Sequence, residues 1–256
     1  ALTVNTTVNG GFTLTLNSTD ATTFAGIIGG STPLTGITTN SGGTVVFNTT
    51  AITSSGGQTY GENATIGANI TFTTGGNNLT FSGTVNSVSS TKTLDIVAGS
   101  GDVTFSGTVG GSEALGNTTI GVAGLTSGAI KVQGTLAITN SAASSITGII
   151  SDGDSAAIIT KAGAGTLTLS GDNTFTGAVT VNAGILSITH ADSLGTTDGA
   201  TTVADGAVLQ ISNSINVADA ITISGTGISN NGAIRSTSGS NTCLLYTSDA
   251  ADDSLR

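Results

Sequence analysis

A short word returns along this chain at nearly constant intervals, and the interval limits the fold before anything else is considered. Leu79-Thr80-Phe81-Ser82-Gly83-Thr84-Val85 returns as Val103-Thr104-Phe105-Ser106-Gly107-Thr108-Val109, 24 residues on. Val181-Asn182-Ala183-Gly184 returns as Val203-Ala204-Asp205-Gly206, 22 residues on. Looser echoes link Phe24-Ala25-Gly26-Ile27-Ile28 with Ile146-Thr147-Gly148-Ile149-Ile150, and Leu167-Thr168-Leu169-Ser170-Gly171 with Ile221-Thr222-Ile223-Ser224-Gly225. Inside the words apolar and polar residues alternate, as in Leu14-Thr15-Leu16 and Ile70-Thr71-Phe72, and Gly, Asn, Asp or Ser bounds each one. That is the pattern of short strands between turns. A period of 22 to 24 residues holds three such strands and three turns, one coil of a stacked repeat. The expected fold is therefore all-β, a right-handed parallel β-helix (solenoid). About ten to twelve coils at ~4.8 Å each give a rod roughly 50 Å long.

Composition supports this reading over its rivals. Gly numbers 39 of 256 residues, charged residues only 8 %, and the hydrophobic share is 37 %. Disordered chains of comparable Gly and Ser/Thr content are poor in β-branched aliphatics and usually rich in charge. Aromatics are 4 % and Met and Trp are absent, so the core is expected to be a regular stack of Val, Ile, Leu and Thr. An antiparallel sandwich array would call for more Pro than the single one present, and for more Asn-Gly or Asp-Gly hairpin turns. Helix is expected at most as single turns, near His190–Leu194 and after Ser248, because no apolar stripe of helical period persists.

A net charge of −10 with five Lys+Arg argues against nucleic acid or an anionic membrane as partner, since phosphate contacts are made mainly by Lys and Arg. One cysteine excludes an intrachain disulfide framework. No apolar run approaches the ~20 residues of a membrane-spanning helix, so this segment is not expected to insert into a bilayer. Ala1 is expected to begin a fragment of a longer chain.

Lys161-Ala162-Gly163-Ala164-Gly165-Thr166-Leu167-Thr168-Leu169-Ser170-Gly171, followed by Asn173-Thr174-Phe175-Thr176-Gly177 and Val181-Asn182-Ala183-Gly184-Ile185-Leu186, resembles the autotransporter-associated β-strand repeat. The resemblance begins at Ile149-Ile150-Ser151-Asp152-Gly153 and covers about sixty residues. It departs from the family pattern at Ala178-Val179. The N-terminal part, with Phe24–Gly30 and Phe105–Gly111, is similar in composition to filamentous-haemagglutinin-like surface arrays. These likenesses imply a β-helical passenger stalk, secreted and displayed on a bacterial surface, anchored in an outer membrane through regions not present here. They imply no catalytic residues. One solenoid segment is expected over residues 1–242: haemagglutinin-like repeats over 1–145, an autotransporter-type repeat over 146–212 and further coils over 213–242. Residues 243–256 resemble translated sequencing-adapter read-through, which would make Cys243 and Tyr246 foreign to the natural chain.

Few residue types able to do chemistry are available. His190 is the single histidine, with Asp192 and Asp198 near it in sequence, but no Gly-x-Ser-x-Gly elbow accompanies it. Asp152 and Asp154 flank Gly153 as the tightest carboxylate pair in the repeats, placed where turn aspartates are usually solvated; calcium-binding solenoids carry tandem Gly-Gly-x-Gly-x-Asp units instead. Lys92, Lys131, Lys161 and Arg235 are scattered singly, unlike the clustered acids and cations of a polysaccharide-degrading β-helix. Ala162-Gly163-Ala164-Gly165 precedes a strand, whereas a phosphate loop follows one. The expectation is a non-enzymatic structural segment with no catalytic, cofactor or metal residues and no cofactor. The alternative is a carbohydrate- or surface-binding module using a Thr/Asn-rich face; a β-helical polysaccharide-degrading enzyme ranks third. Partners, if any, are expected to be host or environmental glycans or further copies of the chain.

Overall fold

The computed structural model describes residues 1–89 and 91–245. Among these the chain forms short strands in three parallel sheets of five, eleven and ten strands, with one 3-10 turn at Ile228–Asn230 and no α-helix. The coil is seen most simply in the middle. Asn63–Ile66 lies in the five-stranded sheet, Ile70–Thr73 in the ten-stranded sheet and Leu79–Phe81 in the eleven-stranded sheet. Val85–Ser87 then lands directly on Ala64–Ile66 and the next coil begins. About eleven such turns make a β-solenoid.

The sequence repeats are the stacked rungs. Leu79 lies beside Val103 and Phe81 beside Phe105, Val85 bridges to Val109, and Val181 lies beside Val203. The two looser echoes do not stack. Phe24 is in the five-stranded sheet and Ile146 in the eleven-stranded one; Leu167–Leu169 is in the eleven-stranded sheet and Ile221–Ile223 in the ten-stranded one. A strand closed by Ser-Gly is a local solution that any side of the coil can use.

Coil length is less uniform than the repeats suggest. Hydrogen bonds joining one coil to the next span 18 residues at Asn117–Thr135 and 26 at Asn86–Ser112. After Ser87 the five-stranded row continues only as single bridges through Val109 to Ile130. There it merges into the long strands Ile130–Asn140 and Ile150–Ala162, whose pairing is interrupted by a register shift between Val132 and Gly134.

Asparagine clips the corners. The side-chain carbonyls of Asn9, Asn63, Asn69, Asn78 and Asn117 accept backbone N–H groups of the following coil, at Ser31, Thr84, Thr93, Asp102 and Thr135. These bonds lie at exposed corners, so each is a modest net contribution of about 0.5–1.5 kcal/mol at most. Glycine serves where coils approach closely. Gly43 has φ +88°, and a Cβ there would sit 2.1 Å from the Asp20 carbonyl oxygen. Only glycine combines that conformation with that approach.

The core is one continuous cluster from Phe24 to Ile221. Its N-terminal half departs from the expected aliphatic stack. Phe24 and Phe47 stack at 5.6 Å, and Tyr60, Phe81 and Phe105 stack in turn at 5.1 and 5.4 Å. Phe72 meets Phe47 and Phe81 edge-on at 5.0 and 5.5 Å. Neighbouring rings lie one coil apart in register, so each row repeats at the stacking distance favourable for offset rings. The C-terminal half holds Phe175 alone and is otherwise aliphatic.

Candidate functional site

Three places gather polar side chains: a loop cluster around His190, a buried corner around Lys161 and Asn173, and a groove over Asn117 and Gln133.

The turn after Gly184–Ile188 brings together Asp172, His190 and Asp192, whose ligand atoms lie within 4.8 Å of one another. His190 and Asp192 share a hydrogen-bonded turn, closed by Ser193 N–H to the His190 carbonyl at 3.2 Å. Asp172 comes from the preceding coil. His190 Nδ1 accepts the Asp192 backbone N–H at 3.2 Å and lies 3.8 Å from its carboxylate. Two carboxylates and an imidazole are chemically able to ligate a divalent cation, but both carboxylates are exposed and the imidazole only half-buried. They do not make a nucleophile relay. Ser193, three residues on, is fully buried and donates its hydroxyl proton to the Leu169 carbonyl at 3.0 Å, while its oxygen accepts the His190 N–H. Asp198 is not in this group; its carboxylate accepts from Thr196.

The corner around Lys161 is built from backbone. Lys161 is fully buried, and its ammonium donates to the carbonyls of Ala162, Gly163 and Ala183 at 2.8, 2.9 and 3.0 Å. Burial lowers its pKa to about 8. The ammonium thereby joins carbonyls of two successive coils at the end of the strand Ile150–Ala162. Asn173 acts likewise one side further on: its carbonyl accepts Ile150 N–H at 2.8 Å and its amide donates to the Ser193 carbonyl at 2.6 Å, tying three coils together. Asp152 accepts Ala157 N–H at 2.7 Å and both the N–H and the hydroxyl of Thr176. It is therefore a part-buried brace between coils, where the sequence suggested a solvated turn residue. Asp154 offers its own N–H to the Gln133 side chain. In the Ala162–Gly165 string, Gly165 is packed against Ala142 and Asn140.

The cations do not converge. Arg235 spends its guanidinium on the carbonyls of Ile228, Asn231 and Gly232, holding the 3-10 turn. The N-terminal amine pairs with Asp20 at 3.1 Å, at an exposed site. Two buried acids stand apart. Glu62 accepts the Thr39 hydroxyl, and Asp219 accepts the Thr201 hydroxyl, with burial raising the Asp219 pKa against the opposing pull of that bond.

The third place is a polar groove of about 270 Å³ lined by Thr91, Thr93, Gly116, Asn117, Gln133, Gly134 and Ser155. The sequence offered no sign of it, because its residues come from four coils and none is a chemically conspicuous type. An apolar groove of about 300 Å³ runs beside Val97, Gly121, Thr139 and Gly163 on the ten-stranded sheet.

A parallel β-solenoid with backbone-directed corner residues is the class of protein these features define. Residues 159–188 match the family model described as passenger-associated-transport-repeat, which places Lys161 and Asn173 inside the matched repeat. Over 130 residues, half of this chain, the sequence is 32 % identical to the adhesin BmaC autotransporter of Brucella suis biovar 1 (strain 1330). That stretch is 4 % of the relative's length. No solved structure matches the chain. The end of the chain was expected to stand outside the repeats; Thr242–Leu245 pairs with Asn216–Ile221, and the remainder of 243–256 lies outside the described residues.

Proposed function

We propose that this chain is a non-catalytic stalk segment of a secreted, surface-displayed bacterial adhesin-like protein. The observation that carries the reading is the unbroken eleven-stranded sheet, in which every coil from Thr13–Leu16 to Ile234–Ser236 pairs with its neighbours. Such a ladder resists extension along its axis, since lengthening the rod requires many parallel hydrogen bonds to break together. The passenger-type repeat at 159–188 and the likeness to an autotransporter adhesin support display at a bacterial surface. The corner residues support a structural role, because Lys161, Asn173, Asp152 and Arg235 are committed to backbone groups.

Grafting the segment between a membrane barrel and an epitope tag tests the reading. The tag should stand roughly 50 Å further from the membrane, about eleven coils at 4.8 Å, and the graft should survive external protease. A tag that stays at its original height, or a purified segment that releases reducing ends from polysaccharides, would defeat it.

A further inference from the structure

The polar groove over Asn117 and Gln133 lies where coil length changes most abruptly. Asn117 and Thr135, equivalent corner positions, are only 18 residues apart. The next coil restores the length by bulging: Val132 pairs with Asp152 but Gly134 with Ala157, so four residues, 153–156, stand opposite Gln133 alone. The short coil is therefore recessed between two longer ones. Thr91 and Thr93 line it from one end and Ser155 from the other, with Gly116 and Gly134 on the coils between, and it is broadly open to solvent.

The recess is preorganised and presents donors. Asn117 uses its side-chain carbonyl on Thr135 N–H at 2.9 Å, and Gln133 uses its own on Asp154 N–H at 3.1 Å. Each amide is thereby oriented, and among the described residues neither NH2 group has a bonded partner. The lining hydroxyls of Thr91, Thr93 and Ser155 both donate and accept. None of the seven lining residues is ionisable or aromatic. A ligand matched to this set is small, uncharged and covered in hydroxyls. An anionic ligand would meet no cation in the lining and a chain of net charge −10.

We propose that this recess binds a neutral saccharide, a mono- or disaccharide unit of a longer glycan, so that the stalk itself makes lateral contacts. With no ring to stack against the sugar and a volume just below the usual range of ligand sites, a single recess binds weakly, with Kd of order 1 mM.

Saturation-transfer NMR on the full chain with lactose, chitobiose and a galacturonic acid disaccharide tests this, alongside Gln133→Leu, Ser155→Leu and, on the ten-stranded sheet, Thr180→Val. Circular dichroism of each variant confirms the fold. The expected result is transfer to at least one neutral disaccharide, reduced fivefold or more by Gln133→Leu and by Ser155→Leu, unchanged by Thr180→Val, and weak for the uronide. Three results each overturn the proposal: no transfer to either neutral sugar at tens of millimolar, transfer that survives both recess changes, or an equal signal from the uronide. A rod that projects its tag yet binds no sugar would refute this site and leave the stalk reading standing.

Discussion

Lys161 shows how far a single residue can be read. In the sequence it is one of four internal cations scattered along the chain; in the structure it is fully buried and bonded to three carbonyls. Its burial was hidden because one partner, the Ala183 carbonyl, lies 22 residues away and is supplied only when coils stack. Asp152 was misjudged for the same reason: Thr176 is 24 residues from it. The buried ammonium makes a testable statement about pH. Desolvation lowers its pKa from the ordinary 10.5 to about 8. Between those values the unfolded chain holds a proton that the folded chain has released, so this group's contribution to stability rises with pH, by about 1.4 kcal/mol per unit at most. Below pH 8 both states are protonated and the penalty of burying the charge is complete. Urea unfolding of the parent protein and of Lys161→Met at pH 7.5, 9 and 10 isolates this group. The parent should gain on the variant steadily as pH rises. A difference between the two that is flat across those three pH values would mean that the ammonium is solvated after all.

At the scale of the element, the alternation of Leu79-Thr80-Phe81 and its copy made strand positions and inward faces legible, because a strand's side-chain period is local. The aromatic content of the core was not legible. A chain average of 4 % conceals that Phe24, Phe47, Tyr60, Phe72, Phe81 and Phe105 fall within one third of the sequence and on inward positions of adjacent coils. Phe47 is the centre of that group, with ring centroids of Phe24, Tyr60 and Phe72 at 5.6, 4.9 and 5.0 Å. Phe175 is equally buried but has no ring partner among the described residues. Truncating either to alanine removes the same volume, at a cost of about 3–5 kcal/mol. Phe47→Ala should cost more, by roughly 0.5–1.5 kcal/mol for each ring pair lost. Guanidinium unfolding of the two variants measures the difference directly. If Phe175→Ala proves the more damaging, the ring contacts add nothing beyond buried area.

For the whole molecule, the coil-length repeat settled the architecture, since stacking places like residues on like residues at Val181 and Val203 as at Leu79 and Val103. It did not reveal the recess, because turns absorb length changes that leave the strand words intact. The His190 cluster was equally out of reach, as Asp172 joins it only from the preceding coil. A solenoid of this kind has nearly nearest-neighbour energetics, each coil held by the ones above and below. Removing a complete coil at a register boundary should therefore leave a folded rod. Deleting residues 182–203 puts Val181 where Val203 stood, directly before Ala204, and every later strand keeps its face. Deleting 182–192 instead joins Val181 to Ser193 and shifts the strands that follow to other sides of the coil, sending apolar rows outward. The full-coil deletion should keep its β-sheet dichroism and unfold in one transition. In scattering it should be shorter by about 4.8 Å. The half-coil deletion should aggregate or lose the coils beyond the junction to protease. Equal damage from both deletions would show that the rod folds as one globule with long-range dependence, and would undo the view of it as a stack of exchangeable coils.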